Sequence, residues 1–360
     1  MPTHNKHHYV PRCYLKPFSV QQNEKTINLL NIRRRLFVEG ASIRYQCYRK
    51  RFYGDDLVIE GVLQQIEGRY ASIVKGIIEE YRAEHADLQF LRDFCYLQYL
   101  RTDIAARRTA LAERDMAHLV FEGEPEDRRP NLRGEKEIVQ NAIATFFETV
   151  AAIGDLKVFL AHNRTKYPFV TSDDPAALIN RFYSQRLGPR WKSAGIESAG
   201  AMLFLPLSPS FLMCSYDGDV YTCPDIADGI VRIDKESDVV ALNILQYLKA
   251  SQNIYFSDWA GRELVQNGLD AVAERRPDKW HHIHYAVKDD EGSVPGWDRF
   301  RVVHTEAERL AAMEALIHVQ NVMLVPLVWL SKIKFRHKPK FVYNQTGRGY
   351  TRRSERPIHS

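Results

Sequence analysis

The sequence predicts an α+β fold in which an antiparallel sheet packs against several long helices. Three observations carry that prediction. Apolar residues recur at helical spacing from about 57 to 153, short apolar runs bounded by turn residues fill 156 to 256, and the two kinds of segment do not alternate as βαβ units would. With 360 residues, 45% of them hydrophobic, the chain can bury a large core, which excludes a disordered or fibrous protein.

The chain begins with a dense stretch, His7-His8-Tyr9-Val10-Pro11-Arg12-Cys13-Tyr14-Leu15-Lys16-Pro17-Phe18. Pro11 has its φ preset and lacks an N–H, so it can open a short helix with Tyr14, Leu15 and Phe18 on one face and the two imidazoles just outside its start. Residues 26–32 and 36–38 read as a hairpin turning at Arg33-Arg34-Arg35. Those arginines, with Arg44, Arg49, Lys50 and Arg51, form either a solvated loop tip or an anion-attracting patch. Asp55 or Asp56 can cap a helix running to about residue 82, with Leu63, Ile66, Tyr70, Val74 and Ile77 on its core face and Glu67 beside them. A second long helix is expected from about 87 to 118. It puts Gln98 and Arg101, three residues apart, on one face. After a charged loop at 122–133, a third helix covers about 135–153.

Strands are expected at 156–160, 169–171, 201–206, 211–216 and 253–257, with a helix at 236–250 that carries Asn243 among apolar neighbours. Ser172-Asp173-Asp174-Pro175 ends one strand with two carboxylates. Strand-end acids serve both as Asx turns and as catalytic or metal-binding oxygens. Further helices are expected at 258–267 and 306–323. Between them, strand alternation puts His282 and His284 on one face and His281 on the other, which argues against a three-histidine metal site.

The organisation read from these elements is one α+β domain over residues 1–270, an extension over 271–330 packed on it, and a basic tail over 331–360. That tail holds nine Lys or Arg against Glu355 alone, so the rest of the chain carries a small net negative charge under an overall +5. Interleaved with Phe335, Phe341, Tyr343 and Tyr350, it suits nucleic-acid binding, and it should be dispensable for folding. No apolar run reaches the roughly 18 residues of a membrane helix, and the His- and Lys-rich start has no signal-peptide core. Five scattered cysteines without metal-site spacing read as reduced cytoplasmic thiols.

Several stations line up in order: His8-Tyr9-Val10-Pro11-Arg12 with Tyr14-Leu15, Phe52-Tyr53, Ile66-Glu67, Gln98 with Arg101-Thr102, Phe169-Val170-Thr171-Ser172-Asp173 with Pro175, Leu205-Pro206-Leu207-Ser208-Pro209, and Asn243. On these residues, from about 4 to 257, the chain resembles the bacterial family known as domain of unknown function 4238. It departs from that pattern at Cys13, where an aromatic is usual, and at Asp174, where Asn is usual. The family label implies no activity, so chemistry is argued from the residues. His7, His8, Glu67, Gln98, Arg101 and Asp173 are the expected catalytic set of a metal-dependent phosphodiesterase or nuclease. Glu67 and Asp173 would hold Mg²⁺ or Mn²⁺, and Arg12, Tyr14, Ser172 and Asn243 would bind substrate. A shared site between His7 or His8 and Asp173 is the sharpest form of this expectation. The rival is a binding or regulatory module in which the same residues form a satisfied structural network.

Overall fold

Residues 6–54, 57–122, 125, 128–187, 195–289, 300–312, 314–344 and 349–353 are described by the structure, a computed structural model. The helix cap expected at Asp55 or Asp56 and the last basic residues of the tail lie outside them.

The N-terminal strand β1 (Lys6–His8) leads through Pro11 into the single turn α1 (Arg12–Leu15). Tyr14, Leu15 and Phe18 are all fully buried, as the shared face predicts. The Tyr14 ring lies 5.9 Å from that of Tyr70, which stacks at 4.0 Å on Phe94, so aromatic packing ties this turn to the two helices behind it. The expected hairpin forms from β2 (Thr26–Asn31) and β3 (Leu36–Ser42), and β4 (Tyr48–Lys50) returns to pair antiparallel with β1.

Four helices follow: α2 (Leu57–Glu80), α3 (His85–Leu100), α4 (Asp103–Val120) and α5 (Glu135–Thr149). The single helix expected over 87–118 is thus two. Thr102 breaks it: its backbone is extended and its hydroxyl accepts the Ala105 N–H at 3.1 Å, capping α4 in competition with helix continuation. The break leaves Gln98 and Arg101 at the end of α3.

The strand region contains β5 (Lys157–Asn163), β6 (Thr171–Ser172), β7 (Ala177–Asn180), β8 (Ala201–Pro206), β9 (Phe211–Tyr216), β10 (Tyr221–Thr222) and β11 (Ile230–Ile233), then α6 (Glu236–Lys249), β12 (Asn253–Phe256) and α7 (Arg262–Ala271). They do not make one sheet. Five strands run in the order β11-β5-β9-β8-β7, antiparallel except for the parallel pair β11 and β5. A second sheet, β3-β2-β12-β6, joins the N-terminal hairpin to two strands from the other end of the domain. The five-stranded sheet is buried on both faces, which explains its unbroken apolar runs. Leu160, Leu203, Leu205 and Met213 share a core with Leu91 and Phe94 of α3, while Phe159, Phe204, Leu212 and Cys214 share another with Val239, Leu242 and Leu245 of α6.

The remaining elements are β13 (His281–Lys288), β14 (Phe300–Val302), α8 (Glu306–Leu310), β15 (Ala315–Asn321), β16 (Lys334–Phe335), β17 (Val342–Asn344) and β18 (Gly349–Thr351). Only the start of the helix expected at 306–323 exists. From Ala315 onward the chain pairs with β13 over seven residues, because cross-strand partners are available for its β-branched Ile317 and Val319. The basic segment is also no loose tail over its described part. Ile333 enters the second core, Phe335 and Phe341 pack against it, and β16 pairs with β10. The buried Arg352 guanidinium donates to the carbonyls of Ala152 and Ile196 and meets Asp155 at 2.9 Å.

Candidate functional site

A cavity of about 670 Å³ lies between the N-terminal segment and α2. Lys6, His7, His8 and Arg12 line it from one side and Glu60, Gln64 and Glu67 from the other, with Cys13, Arg44 and Tyr53 completing it. Three of these positions, 60, 64 and 67, are spaced four and three apart and so share one face of α2.

The two histidines are held in opposite tautomers. His7 is buried, with its ring stacked 5.6 Å from that of Tyr53, and its Nδ1 accepts the Tyr53 N–H at 3.1 Å. A neutral His7 therefore carries its proton on Nε2, which faces the Glu60 carboxylate at 3.9 Å. His8 places Nδ1 3.0 Å from the Gln46 carbonyl, which can only accept, so Nδ1 donates and Nε2 is the bare nitrogen of the neutral ring. Burial pulls the His8 pKa down from 6.5 to about 4, the Gln46 carbonyl opposing it and the Arg12 and Lys6 charges adding to it. His8 is neutral at physiological pH.

Glu67 is positioned from behind. The Arg101 guanidinium, fully buried, donates Nη1 to Glu67 Oε1 at 3.0 Å and Nε to Gln98 Oε1 at 3.1 Å. Gln98 in turn donates to the Tyr9 carbonyl at 2.7 Å, next to His8. Burial raises the Glu67 pKa, against the pull of Arg101. The cavity thus presents an unprotonated imidazole nitrogen, a carboxyl that holds its proton more tightly than usual, and the cations Lys6, Arg12 and Arg44. Such an arrangement can bind an anion and move protons on and off it.

The other predicted residues lie elsewhere. Asp173 does not line this cavity: its two oxygens accept the N–H groups of Ser251 and Gln252 at 3.0 and 2.8 Å, and burial pushes its carboxyl up to about 6 despite those donors. The expected meeting of His7 or His8 with Asp173 is therefore not found. The carboxylate facing His7 is Glu60, and Glu67 and Asp173 do not share a site. Tyr14 is sealed in the core, where its hydroxyl donates to the Pro206 carbonyl and contacts Thr171 Oγ1, both at 2.7 Å. Ser172 donates to Gln246 Oε1 at 2.8 Å, and Asn243 accepts the Val170 N–H and donates to the Pro168 carbonyl, each at 3.0 Å. Asp174, wholly buried, takes the Lys249 ammonium and the Thr102 hydroxyl on Oδ1 at 2.9 and 3.0 Å and Arg108 on Oδ2 at 2.9 Å. Together these residues make a brace between β6 and α6.

Lys6 and Glu60 were missed by sequence reasoning, and Arg44 was read only as part of a candidate anion-attracting patch. Glu60 was within reach, since it stands two turns before Glu67 on the same helix face. Lys6 and Arg44 gave no signal beyond a basic neighbourhood. Among the described residues, no group of three or more His, Cys, Asp or Glu side chains is placed to hold a metal ion.

Fold and cavity define an α+β protein with a two-faced buried sheet and an ionisable cavity built on its N-terminal segment. The chain belongs to the family described as "protein of unknown function (DUF4238)", whose pattern matches residues 6–259. That match takes in every residue lining the cavity. No curated protein and no solved structure matches the chain. No described helix is long and apolar enough to cross a membrane.

Proposed function

We propose that the cavity is the active site of a phosphodiesterase acting on nucleic acid. The observation that carries this reading is the bare Nε2 of His8 in the same cavity as Glu67, flanked by Lys6, Arg12 and Arg44. The three cations neutralise a phosphate diester. His8 Nε2 accepts the proton of the attacking hydroxyl, from water or a ribose 2′-OH, as its oxygen bonds to phosphorus. Glu67 gives its proton to the departing oxygen as the phosphorus–oxygen bond breaks. A bound phosphate also offsets the Lys6 and Arg12 charges that help hold the His8 pKa down, so the substrate itself makes His8 a stronger base.

Glu60 is the carboxylate of that wall that Mg²⁺ or Mn²⁺ would use, alongside phosphate oxygens, since Glu67 keeps its proton for the departing oxygen. The nucleic-acid track is assigned to the cavity's own cations in preference to the tail, because Lys332, Arg352 and Arg353 are engaged with Asp225, Asp155 and Asp219. The five free thiols, four of them buried, favour a reducing, cytoplasmic setting.

The test is incubation of the purified protein with labelled RNA and DNA, with Mg²⁺, with Mn²⁺ and with chelator. Cleavage should fall about a hundredfold in His8→Ala and Glu67→Gln. Binding without cleavage in every arm would replace this reading with that of a binding module, which the sealed brace between β6 and α6 supports as the runner-up.

A further inference from the structure

A second cavity, of about 480 Å³, lies between α4, α5 and the strands β13 and β15. Much of its lining is family-matched chain, whereas Trp280, His281, Val319, Asn321, Val322 and Leu324, which also line it, fall beyond residue 259. At one end Lys249 and Arg108 both reach it. Lys249 is 2% exposed, and Arg108 lies with its guanidinium carbon 3.4 Å from the centre of the Trp280 ring. Asp174 is the carboxylate both cations share, its Oδ2 in ion-pair range of Arg108 Nη1, and among the described residues neither that Oδ2 nor Arg108 Nε has a hydrogen-bond partner. The other charged groups of the lining are paired, Glu113 with Arg133 and His281 with Asp115. One buried carboxylate thus faces the buried Lys249 and the half-buried Arg108, an imbalance that an anion in the cavity would relieve. Burial lowers the Lys249 pKa while Asp174 opposes that change, which expresses the same cost. The remaining walls set apolar Met116, Ile138, Leu178 and Leu324 beside the polar Thr109, Asn141, Thr145 and Asn321. The volume falls within the range of small-molecule sites.

We infer that this cavity binds a small amphipathic carboxylate, its charged end at Arg108 and Lys249 and its apolar body against Met116, Ile138 and Leu324. The site is separate from the catalytic cavity and stands whether or not that reading does. The test is calorimetric titration of the full chain with octanoate and benzoate, and with octanol, octylammonium and inorganic phosphate as controls. At least one of the two carboxylates should bind at one per chain. Its affinity should drop at least tenfold in Arg108→Met and in Met116→Trp, which fills the cavity, and should be unchanged in Glu67→Gln. The inference is overturned if neither carboxylate binds, if octylammonium or phosphate binds as well as they do, or if the variants leave the affinity unchanged. Should Arg108→Met fail to fold by circular dichroism, Met116→Trp decides alone.

Discussion

The cavity beside β1 and the brace between β6 and α6 use the same kinds of residue, carboxylates, cations and amides, to opposite ends. In the brace the groups close on one another: Asp173 accepts two backbone N–H groups, Asn243 bonds on both sides of its amide, and Asp174 accepts two donors on Oδ1 and pairs with the Arg108 charge through Oδ2. In the cavity the two reacting groups are fixed on one side only. His8 is tied through Nδ1 and Glu67 through Oε1, with the opposite atom of each making no hydrogen bond among the described residues. A residue held on one side is oriented yet still able to react, whereas one held on all sides serves to fix the packing.

The largest effect should come from the brace. Lys249→Met leaves Asp174 buried without its ammonium partner and is expected to cost about 3–5 kcal/mol in urea unfolding, as breaking other buried pairs does. A loss under about 1 kcal/mol would show that the brace is no more structural than the cavity. Asn243→Ala strands the Val170 N–H and the Pro168 carbonyl, for an expected loss of about 2–3 kcal/mol. Its catalytic constants, measured below the unfolding transition, should be unchanged. The cavity should answer in reverse: His8→Gln should keep stability within about 1 kcal/mol of the parent, while cleavage falls by about a hundredfold. Equal losses of stability in the two regions would erase the contrast.

The smallest expected effect concerns pH. Burial holds the folded His8 pKa near 4, below its ordinary 6.5, so the unfolded chain takes up that proton first as pH falls. Stability should therefore decline from about pH 6.5 to about 4, and His8→Gln should flatten that part of the profile in denaturation series. An identical profile in the variant would remove His8 from the buried side of the cavity.

Much of the fold was legible because its periodicities are strong. The hairpin, α2, α5, α6 and the apolar strands follow from spacing alone. The failures were those of competition and partnership. Thr102 reads as one more helical residue until its hydroxyl is seen to cap α4, and residues 315–321 suit a helix until β13 offers pairing. Of the site, the i and i+3 spacing of Gln98 and Arg101 correctly put their heads together, and the dense N-terminal stretch did supply one wall. The error lay in choosing Asp173, since a strand-end carboxylate looks the same in sequence whether it meets solvent or the N–H groups of residues 251 and 252. Lys249 was not singled out, and the basic tail was read as dispensable for folding, because burial of a charge depends on partners far away in the chain.

The corner between α3 and α4 has a kinetic consequence. Adjacent residues there bond in opposite directions along the chain: Arg101 reaches Glu67, 34 residues back, and Thr102 reaches Asp174, 72 residues ahead. Closing loops of that length is slow compared with forming α2 or α3 themselves. The cavity is therefore expected to be among the last parts of the molecule to acquire its geometry during folding. A chain released early would have its helices in place while His8 and Glu67 had not yet met.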